Sequence, residues 1–180
     1  MSLLEDIRAA ADAVRSCEEV TIISHIDADG ISSEAILAQA LSRDGIRVST
    51  TFVRQLDPLT LGQIPDDSSL KIFSDLGSGQ QQMLLEKGLD PSRTIIIDHH
   101  VSQPAEHGDP FIEVNCLNHG HEKMSAAGVS YLLAKQLDSI NTDLAKLAII
   151  GNIGDMMDRE HLCLTGPARE ILQDGVRQGT

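Results

Sequence analysis

The sequence predicts an α/β protein in which helices flank a doubly wound, largely parallel β-sheet. Short β-branched apolar runs alternate with amphipathic segments, which is typical of consecutive βαβ units. Several of these runs end abruptly in aspartate or histidine, as buried strands do when they bring ligands to the carboxyl edge of a sheet. A length of 180 residues suits one domain with a sizeable core, so we assign residues 1–180 to a single domain.

Apolar residues at helical spacing predict helices, and short apolar runs predict strands. In chain order we expect a helix over 3–16, a strand over 20–24, a helix over 34–41, strands over 46–53 and 70–74, a helix between Gly79 and Leu85, a strand over 94–97, a short strand over 111–115, and helices over 125–137, 142–150 and 170–176. Ser32 or Ser33 is expected to cap the second helix. Pro58 and Pro65 mark residues 54–69 as a surface connection.

The charge balance argues against a surface that holds nucleic acid unaided. The chain carries 14 basic and 27 acidic residues, a formal net charge of −13. A protein that binds a polynucleotide by its phosphates normally offers a basic face. We therefore expect a small substrate, or metal ions that supply positive charge, or basic contacts from another domain.

Composition favours a protein of a reducing cytoplasm without membrane contact. Hydrophobic residues make up 41% of the chain, but no apolar run approaches the roughly 20 residues of a membrane span. The N-terminus is amphipathic and acidic, unlike a signal peptide. Cys17, Cys116 and Cys163 are far apart and odd in number, which predicts neither a disulfide framework nor a structural zinc site.

Polar side chains that suit metal ions lie at or near the ends of the predicted elements. They are His25, Asp27, Asp29, Asp75, Asp98, His99, His100 and Asp155, the last of which is expected to follow a helix. Gathering these carboxylates without cations would raise their pKa values and cost several kcal/mol of repulsion. Mixed carboxylate and imidazole ligands suit Mn²⁺, Fe²⁺, Co²⁺ or Zn²⁺, and the oxygen-rich set favours Mn²⁺. Six ligands are too many for one catalytic ion with open positions and about right for two.

Each motif also has a purely structural interpretation. A single His-x-Asp-x-Asp sequence in a loop is more often a solvated turn than a ligand cluster. Asp75 would serve equally well as the cap of the next helix, and residues 151–155 as a helix C-cap and turn. The double histidine at a strand edge is harder to explain in this way, and four such motifs on one α/β chain favour a shared site.

These motifs resemble the four signature motifs of the DHH phosphoesterase superfamily. They read His25-Ile-Asp-Ala-Asp-Gly30, Asp75, Asp98-His-His100 and Gly151-Asn-Ile-Gly-Asp155. Their form and spacing are similar to the RecJ-like branch, particularly its archaeal members, over about residues 20–158. The superfamily includes RecJ-type single-strand exonucleases, oligoribonuclease-like and cyclic-dinucleotide phosphodiesterases, and family II inorganic pyrophosphatases.

The resemblance implies a role for each side chain. It gives one metal ion to His25 and Asp27, a second to Asp29, His99 and Asp155, and both to Asp75. Asp98 would orient an imidazole, and His100 would face the scissile phosphate as hydrogen-bond donor or as acid toward the leaving oxygen. The implied cofactors are two divalent ions, Mn²⁺ before Mg²⁺ or Co²⁺. The implied activity is hydrolysis of single-stranded DNA, RNA or short oligonucleotides.

RecJ-like proteins also carry a second, substrate-binding domain with a glycine-rich GGGH-type motif. Residues 159–180 contain nothing similar, so we expect this chain to be the catalytic domain alone. Two rival functions stay open. One is hydrolysis of a small phosphorylated compound, such as a cyclic dinucleotide, pyrophosphate or phosphoadenosine phosphate. The other is a non-catalytic scaffold in a replication complex, with replication or repair proteins as partners.

Side chains outside the motifs are weaker candidates for phosphate contacts. They are Arg54, Arg93, His107, Asn118, His119, His121 and Lys123. Exposed loop histidines are more commonly solvated than functional, so none of these belongs to the predicted centre.

Overall fold

Five parallel strands form the sheet at the centre of the protein. The computed structural model describes residues 2–120 and 124–179. Its strands are β1 (Glu19–His25), β2 (Arg47–Val53), β3 (Leu70–Ser74), β4 (Thr94–Ile97) and β5 (Ile112–Val114), and each neighbouring pair is parallel. The α/β class predicted from the sequence is confirmed.

The strand order creates a crevice at the carboxyl edge of the sheet. The order is β2-β1-β3-β4-β5, so the chain winds outward in both directions from the neighbouring strands β1 and β3. Ligands bind α/β sheets at such a reversal, outside the carboxyl ends of the strands. His25 ends β1 and Asp75 follows β3, so these two residues lie on either side of the crevice.

Helices cover both faces of the sheet. In the described part of the chain they are α1 (Leu3–Arg15), α2 (Ala28–Arg43), α3 (Pro58–Leu61), α4 (Gln81–Glu86), α5 (Ala126–Leu137), α6 (Ala145–Gly154) and α7 (Gly166–Gln178). A large apolar cluster joins one face to α1, α2, α5, α6 and α7. A smaller cluster on the other face includes Leu61 of α3 and Leu84 of α4. Ile22 and Ile23 of β1 belong to different clusters, as expected for a strand buried on both faces.

The start of α2 differs from the sequence prediction. The helix predicted over 34–41 is present within α2, but its start and its cap at Ser32 or Ser33 were wrong, because α2 begins immediately after Asp27. The Oδ1 atom of Asp27 accepts a hydrogen bond from the backbone N–H of Gly30 at 2.9 Å, so this aspartate is the N-cap. Ser32 and Ser33 are instead buried inside the helix.

The last two helices are α6, whose end lies at the crevice, and α7. α6 ends at Gly154 and Asp155 occupies its C-cap, which confirms that Asp155 follows a helix. α7 is longer than the predicted 170–176, because Pro167 fits the first helical turn. Among the described residues, no helix combines the length and apolar character needed to cross a bilayer.

Candidate metal centre

The six predicted ligands converge at the carboxyl edge of the sheet. They form two groups, one of His25, Asp27 and Asp75 and one of Asp29, His99 and Asp155, and the ligand atoms within each group lie within 4.8 Å of one another. The residues come from the ends of β1, β3 and β4, the start of α2 and the end of α6. Residues far apart in sequence therefore meet in one cluster.

Asp75 connects the two groups. Its Oδ1 atom lies 3.2 Å from Nε2 of His99, and its Oδ2 atom lies 3.4 Å from Nδ1 of His25. The residue has a φ of 61°, in the left-handed region that non-glycine residues rarely occupy. Its backbone N–H donates to the carbonyl of Ile97, which extends the pairing of β3 and β4 by one bond. Asp75 does not cap the next helical turn, which begins at Ser78.

Backbone contacts hold His25 and Asp27, the other two members of the first group. Nδ1 of His25 lies 3.0 Å from Oδ2 of Asp27 and faces the cluster. Nε2 of His25 lies 3.1 Å from the backbone carbonyl of Arg54, a contact that fixes the ring. Metal-binding histidines commonly bond a carbonyl through the nitrogen that does not bind metal. Asp27 is both an N-cap and a member of the cluster, since one oxygen serves each role.

Asp29 of the second group is fixed by the start of α5. Its two carboxylate oxygens accept hydrogen bonds from the backbone N–H groups of Ala126 and Ala127, at 2.7 and 2.8 Å. The side chain is almost fully buried and lies 3.7 Å from Nε2 of His99. These contacts exclude a solvated turn at this position. Asp155 is more exposed, and its Oδ2 atom lies 3.5 Å from the same imidazole nitrogen.

Asp75, Asp98, His99 and His100 form a further group whose ligand atoms lie within 4.8 Å of one another. Within this group, Asp98 orients His100. Its Oδ1 atom lies 2.7 Å from Nδ1 of His100 and accepts from the backbone N–H of His99 at 2.8 Å. Its Oδ2 atom accepts from the backbone N–H of Ser78 at 3.0 Å. Asp98 is buried, whereas 60% of the His100 side chain is exposed. His100 is therefore the motif's solvent-facing imidazole.

Burial and charge give these groups unequal pKa values. Burial, together with the neighbouring carboxylates of Asp29 and Asp27, raises the pKa of Asp75 to about 7. Burial likewise raises the pKa of Asp29. For Asp27 the effect of burial is outweighed by hydrogen bonds from Gly30, Asp75 and His25, and its pKa is lowered. In the metal-free protein a proton thus resides on Asp75 below about pH 7.

The donor set fits divalent cations. Within the described residues, the carboxylates of the cluster form ion pairs only with histidines and with no lysine or arginine. Four carboxylates gathered in one cluster, two of them buried (Asp29 and Asp75), carry negative charge that a cation would balance. Oxygen atoms with a minority of imidazole nitrogens are the ligands of Mn²⁺ and similar ions. His25, Asp27, Asp29, Asp75, His99 and Asp155 would hold such ions.

A set of buried hydroxyl and amide groups beneath the cluster was missed by the sequence analysis. Ser33 of α2 lies 2.5 Å from the Ser74 hydroxyl and 2.6 Å from the Ser130 hydroxyl, which joins α2 to β3 and α5. Asn152, inside the last motif, accepts from the N–H of Ser125 and donates to the carbonyl of Ala148. In the sequence Ser33 was considered only as a possible helix cap and Asn152 only as part of the last motif.

The weaker candidates lie in different places. Arg54 lies at the carboxyl edge and lines the cleft beside His25 and Asp75. Arg93 lies at the opposite edge of the sheet, at the start of β4, and donates to the carbonyl of Ser68. It is therefore excluded from the centre. His119 contacts Asp6 of α1. His121 and Lys123 lie outside the described residues.

Two curated proteins are similar to this chain in sequence, and one solved structure is similar in sequence and fold. An uncharacterised protein of Methanocaldococcus jannaschii is 33% identical over 149 residues, which cover 76% of this chain and 33% of that protein. A Bacillus subtilis protein that bears the name SPβ prophage-derived single-strand DNA-specific exonuclease is 25% identical, over 98% of this chain and 32% of that protein. RecJ of Thermus thermophilus, solved in complex with Mn²⁺, is 25% identical with a TM-score of 0.69, over 97% of this chain and 26% of that chain.

The chain spans about a third of the length of these curated relatives. A family model described as the DHH family, N-terminal domain, matches residues 19–152 and so contains five of the six candidate ligands. Together with the RecJ-like fold, this match shows that the chain belongs to the DHH family.

Proposed function

We propose that this chain is the catalytic domain of a metal-dependent phosphodiesterase that cleaves single-stranded DNA, RNA or short oligonucleotides. The observation that carries the proposal is the Asp75 carboxylate, which offers one oxygen to each group of ligands. A carboxylate shared in this way is what a pair of ions a few ångströms apart requires. Membership of the DHH family supports the same reaction class.

We propose two divalent ions, with Mn²⁺ preferred over Mg²⁺ or Co²⁺. When bound, such ions offset the charge on the phosphoryl oxygens and lower the pKa of the water that attacks phosphorus. Thermus thermophilus RecJ was solved with Mn²⁺ and also with Mg²⁺, which supports a divalent ion, and the preference for Mn²⁺ rests on the oxygen-rich ligand set. Within the protein, His25 and Asp27 would hold the first ion, Asp29, His99 and Asp155 would hold the second, and Asp75 would contribute to both.

His100 acts on the substrate. Its Nδ1 atom is occupied by Asp98, which leaves Nε2 to face a phosphate or leaving oxygen. The hydrogen bond and charge of Asp98 raise the pKa of His100 to about 9, so the imidazole carries a proton at neutral pH. A protonated imidazole donates to a phosphate oxygen and can protonate the departing oxygen. Asp98 holds the tautomer and the ring orientation.

The shape of the crevice favours a chain-like substrate over a small phosphate compound. Two cavities of about 630 and 1050 Å³ adjoin at His100, Val101 and Asp155, which line both. Either one is large enough for a small ligand, and a strand that crosses the centre would use both. Arg54 lines the first cavity and Arg159 the second. The exonuclease name of the Bacillus subtilis relative agrees with this class of substrate.

The charge of the chain implies that further contacts come from elsewhere. Two divalent ions would change the net charge from −13 to −9, which is still unfavourable for a polyanion. We therefore propose that another domain or a partner protein of replication or repair supplies the basic contacts. The free, widely separated cysteines suit an enzyme of the cytoplasm.

Hydrolysis by the purified chain tests this proposal. Chelation should abolish cleavage of a labelled single-stranded oligonucleotide, and added Mn²⁺ should restore it. Asp75→Ala should be inactive under all metal conditions, whereas the exposed control Asp66→Ala should match the wild type. Undiminished cleavage by Asp75→Ala would contradict the proposal. Faster turnover of pyrophosphate or a cyclic dinucleotide than of the oligonucleotide would assign a small substrate instead.

A further inference from the structure

A second polar network lies behind the Asp-His-His turn, and its common acceptor is Glu113 on β5. One oxygen of this carboxylate accepts from the Ser78 hydroxyl at 2.5 Å. The other accepts from the side-chain amide of Gln81 at 2.9 Å and from the Ser102 hydroxyl at 2.8 Å. The side-chain amide of Asn115 lies 3.4 Å from the first oxygen. Glu113 thus gathers four donor side chains from three separate segments of the chain.

These donors also contact the segment that carries the two histidines, residues 98–103, which we call the histidine segment. The Ser78 backbone N–H donates to Asp98, and the Ser78 carbonyl accepts from the N–H of Gln103 at 2.7 Å. The Asn115 side-chain amide donates to the carbonyl of His100 at 2.8 Å. The histidine segment is therefore attached to the network at its start, middle and end.

An ionised carboxylate gives this network a fixed direction. Glu113 can only accept, so the Ser78 hydroxyl must donate to it and has only its lone pairs left for Asn115, 3.2 Å away. The Asn115 amide nitrogen must then point toward Ser78 and His100, while its oxygen accepts from the N–H of Leu117. A neutral side chain at position 113 would leave this order undetermined.

Glu113 has no cationic partner among the described residues, although it is only partly exposed. A carboxylate without a cationic partner is stabilised by the hydrogen bonds that it accepts, and hydrogen bonds to a charged acceptor are stronger than neutral ones. The side chains that donate to Glu113 are therefore held firmly in place. Through them, the segment that presents His99 and His100 is held as well.

We propose that Glu113 is a positioning residue that holds the histidine segment, and with it the His100 ring, in place for phosphodiester hydrolysis. This inference rests on the function proposed above. Glu113 touches neither the metal ligands nor the cleft, so it acts through Ser78, Asn115 and Asp98. Its removal should lower turnover without removing ions.

Glu113→Gln tests the direction of the network. If the new amide nitrogen faces Ser78, it competes with Asn115 as a donor to the Ser78 hydroxyl. If it faces Gln81 instead, two amide donors point at each other. We expect kcat to fall about ten- to a hundredfold, as for other residues that orient a centre through a second residue, while KM and Mn²⁺ stoichiometry stay unchanged. Amide hydrogen exchange at His100 and Gln103, measured by NMR on the metal-free protein, should become faster.

Two further variants separate positioning from general stability. In Glu113→Gln/Gln81→Glu the carboxylate and amide change places, so the order of donors is restored, and both kcat and exchange should recover. Asp174→Asn is the matched control, because Asp174 also accepts from three side chains (Tyr131, Lys135 and Arg177) but contacts no part of the histidine segment. It should lower the melting temperature without changing exchange at His100.

Unchanged exchange at His100 and Gln103 in Glu113→Gln would overturn the inference, whether or not the wild type hydrolyses oligonucleotides. Equal loss of kcat in Glu113→Gln and Asp174→Asn would also overturn it, because the effect would then be one of stability. If amide exchange is faster in Glu113→Gln but the wild type cleaves no substrate, the positioning role of Glu113 is supported and only the proposed function is contradicted.

Discussion

His100 and Asp98 form a close side-chain pair in which Nδ1 of the imidazole lies 2.7 Å from Oδ1 of the carboxylate. The same oxygen accepts from the backbone N–H of His99, so one buried carboxylate orders both histidines. The histidines nevertheless face different surroundings, because His99 lies against Asp75 and Asp155 while His100 is largely exposed. The two imidazoles are thus expected to differ in function.

Alanine substitutions at the two histidines should have different effects. His99→Ala removes a nitrogen from the second group of ligands and should lose one ion per chain. His100→Ala should keep both ions and reduce kcat by about 10² to 10⁴, the usual contribution of a general acid. Mn²⁺ content after equilibrium dialysis and single-turnover rates would check this. Equal loss of metal in the two variants would show that the division of roles is wrong.

The stability of the metal-free protein should fall as pH rises from about 4 to about 7. The pKa of Asp75 is about 7 in the folded protein because of burial and its acidic neighbours, against about 4 when unfolded. The folded state therefore binds more protons in this window, and a group of this kind stabilises less as it loses its proton. Asp75 alone lowers the free energy of unfolding by at most about 1.4 kcal/mol per pH unit in this range.

Urea unfolding between pH 4 and 8 in the presence of a chelator would measure this slope. In Asp75→Asn the side chain cannot ionise, so the decline should be shallower. Mn²⁺ should bind with release of protons below pH 7, because the ligands must be ionised, and calorimetry in buffers of different ionisation enthalpy would count them. A metal-free protein that gains stability between pH 4 and 7 would contradict the assignment.

Gly151→Ala should displace the side chain of Asp29, a member of the second group of ligands. A Cβ atom at this position would lie 2.4 Å from Cβ of Ala127 and 2.7 Å from Oδ1 of Asp29. We expect a loss of about 1–3 kcal/mol in the free energy of unfolding, as for other overpacked sites, and weaker Mn²⁺ binding. Gly62→Ala, where the nearest atom is 3.3 Å away, is the control. Thermal unfolding with and without Mn²⁺ would show whether the stabilisation by Mn²⁺ is reduced in Gly151→Ala and unchanged in Gly62→Ala.

Short-range sequence patterns predicted most of the sheet and the candidate ligands. Strands over 70–74 and 94–97 match β3 and β4, because both segments are short and rich in β-branched or aromatic residues, which favours a strand over a helix. The start of α2 was misjudged because Asp27 resembles a loop ligand and is also a helix cap. A sequence pattern that assigned Asp27 one role, as a ligand, did not show that the same residue also caps the helix.

Long-range polar contacts were not predictable from the sequence. Glu113 is one acidic residue in a three-residue strand, and its partners Ser78 and Gln81 lie more than 30 positions away. Ser33 similarly meets Ser130 across 97 positions. Arg93 was considered with Arg54, although parallel strands bring the two to opposite edges of the sheet. Such contacts depend on strand order, which no local pattern encodes.

The number of Mn²⁺ ions bound per chain tests the central claim most directly. Equilibrium dialysis followed by elemental analysis should give two ions for the wild type and fewer than two for Asp75→Ala, since Asp75 belongs to both groups of ligands. The exposed control Asp66→Ala should bind two. A wild-type protein that binds no Mn²⁺, or an Asp75→Ala variant that still binds two ions with unchanged affinity, would contradict the account.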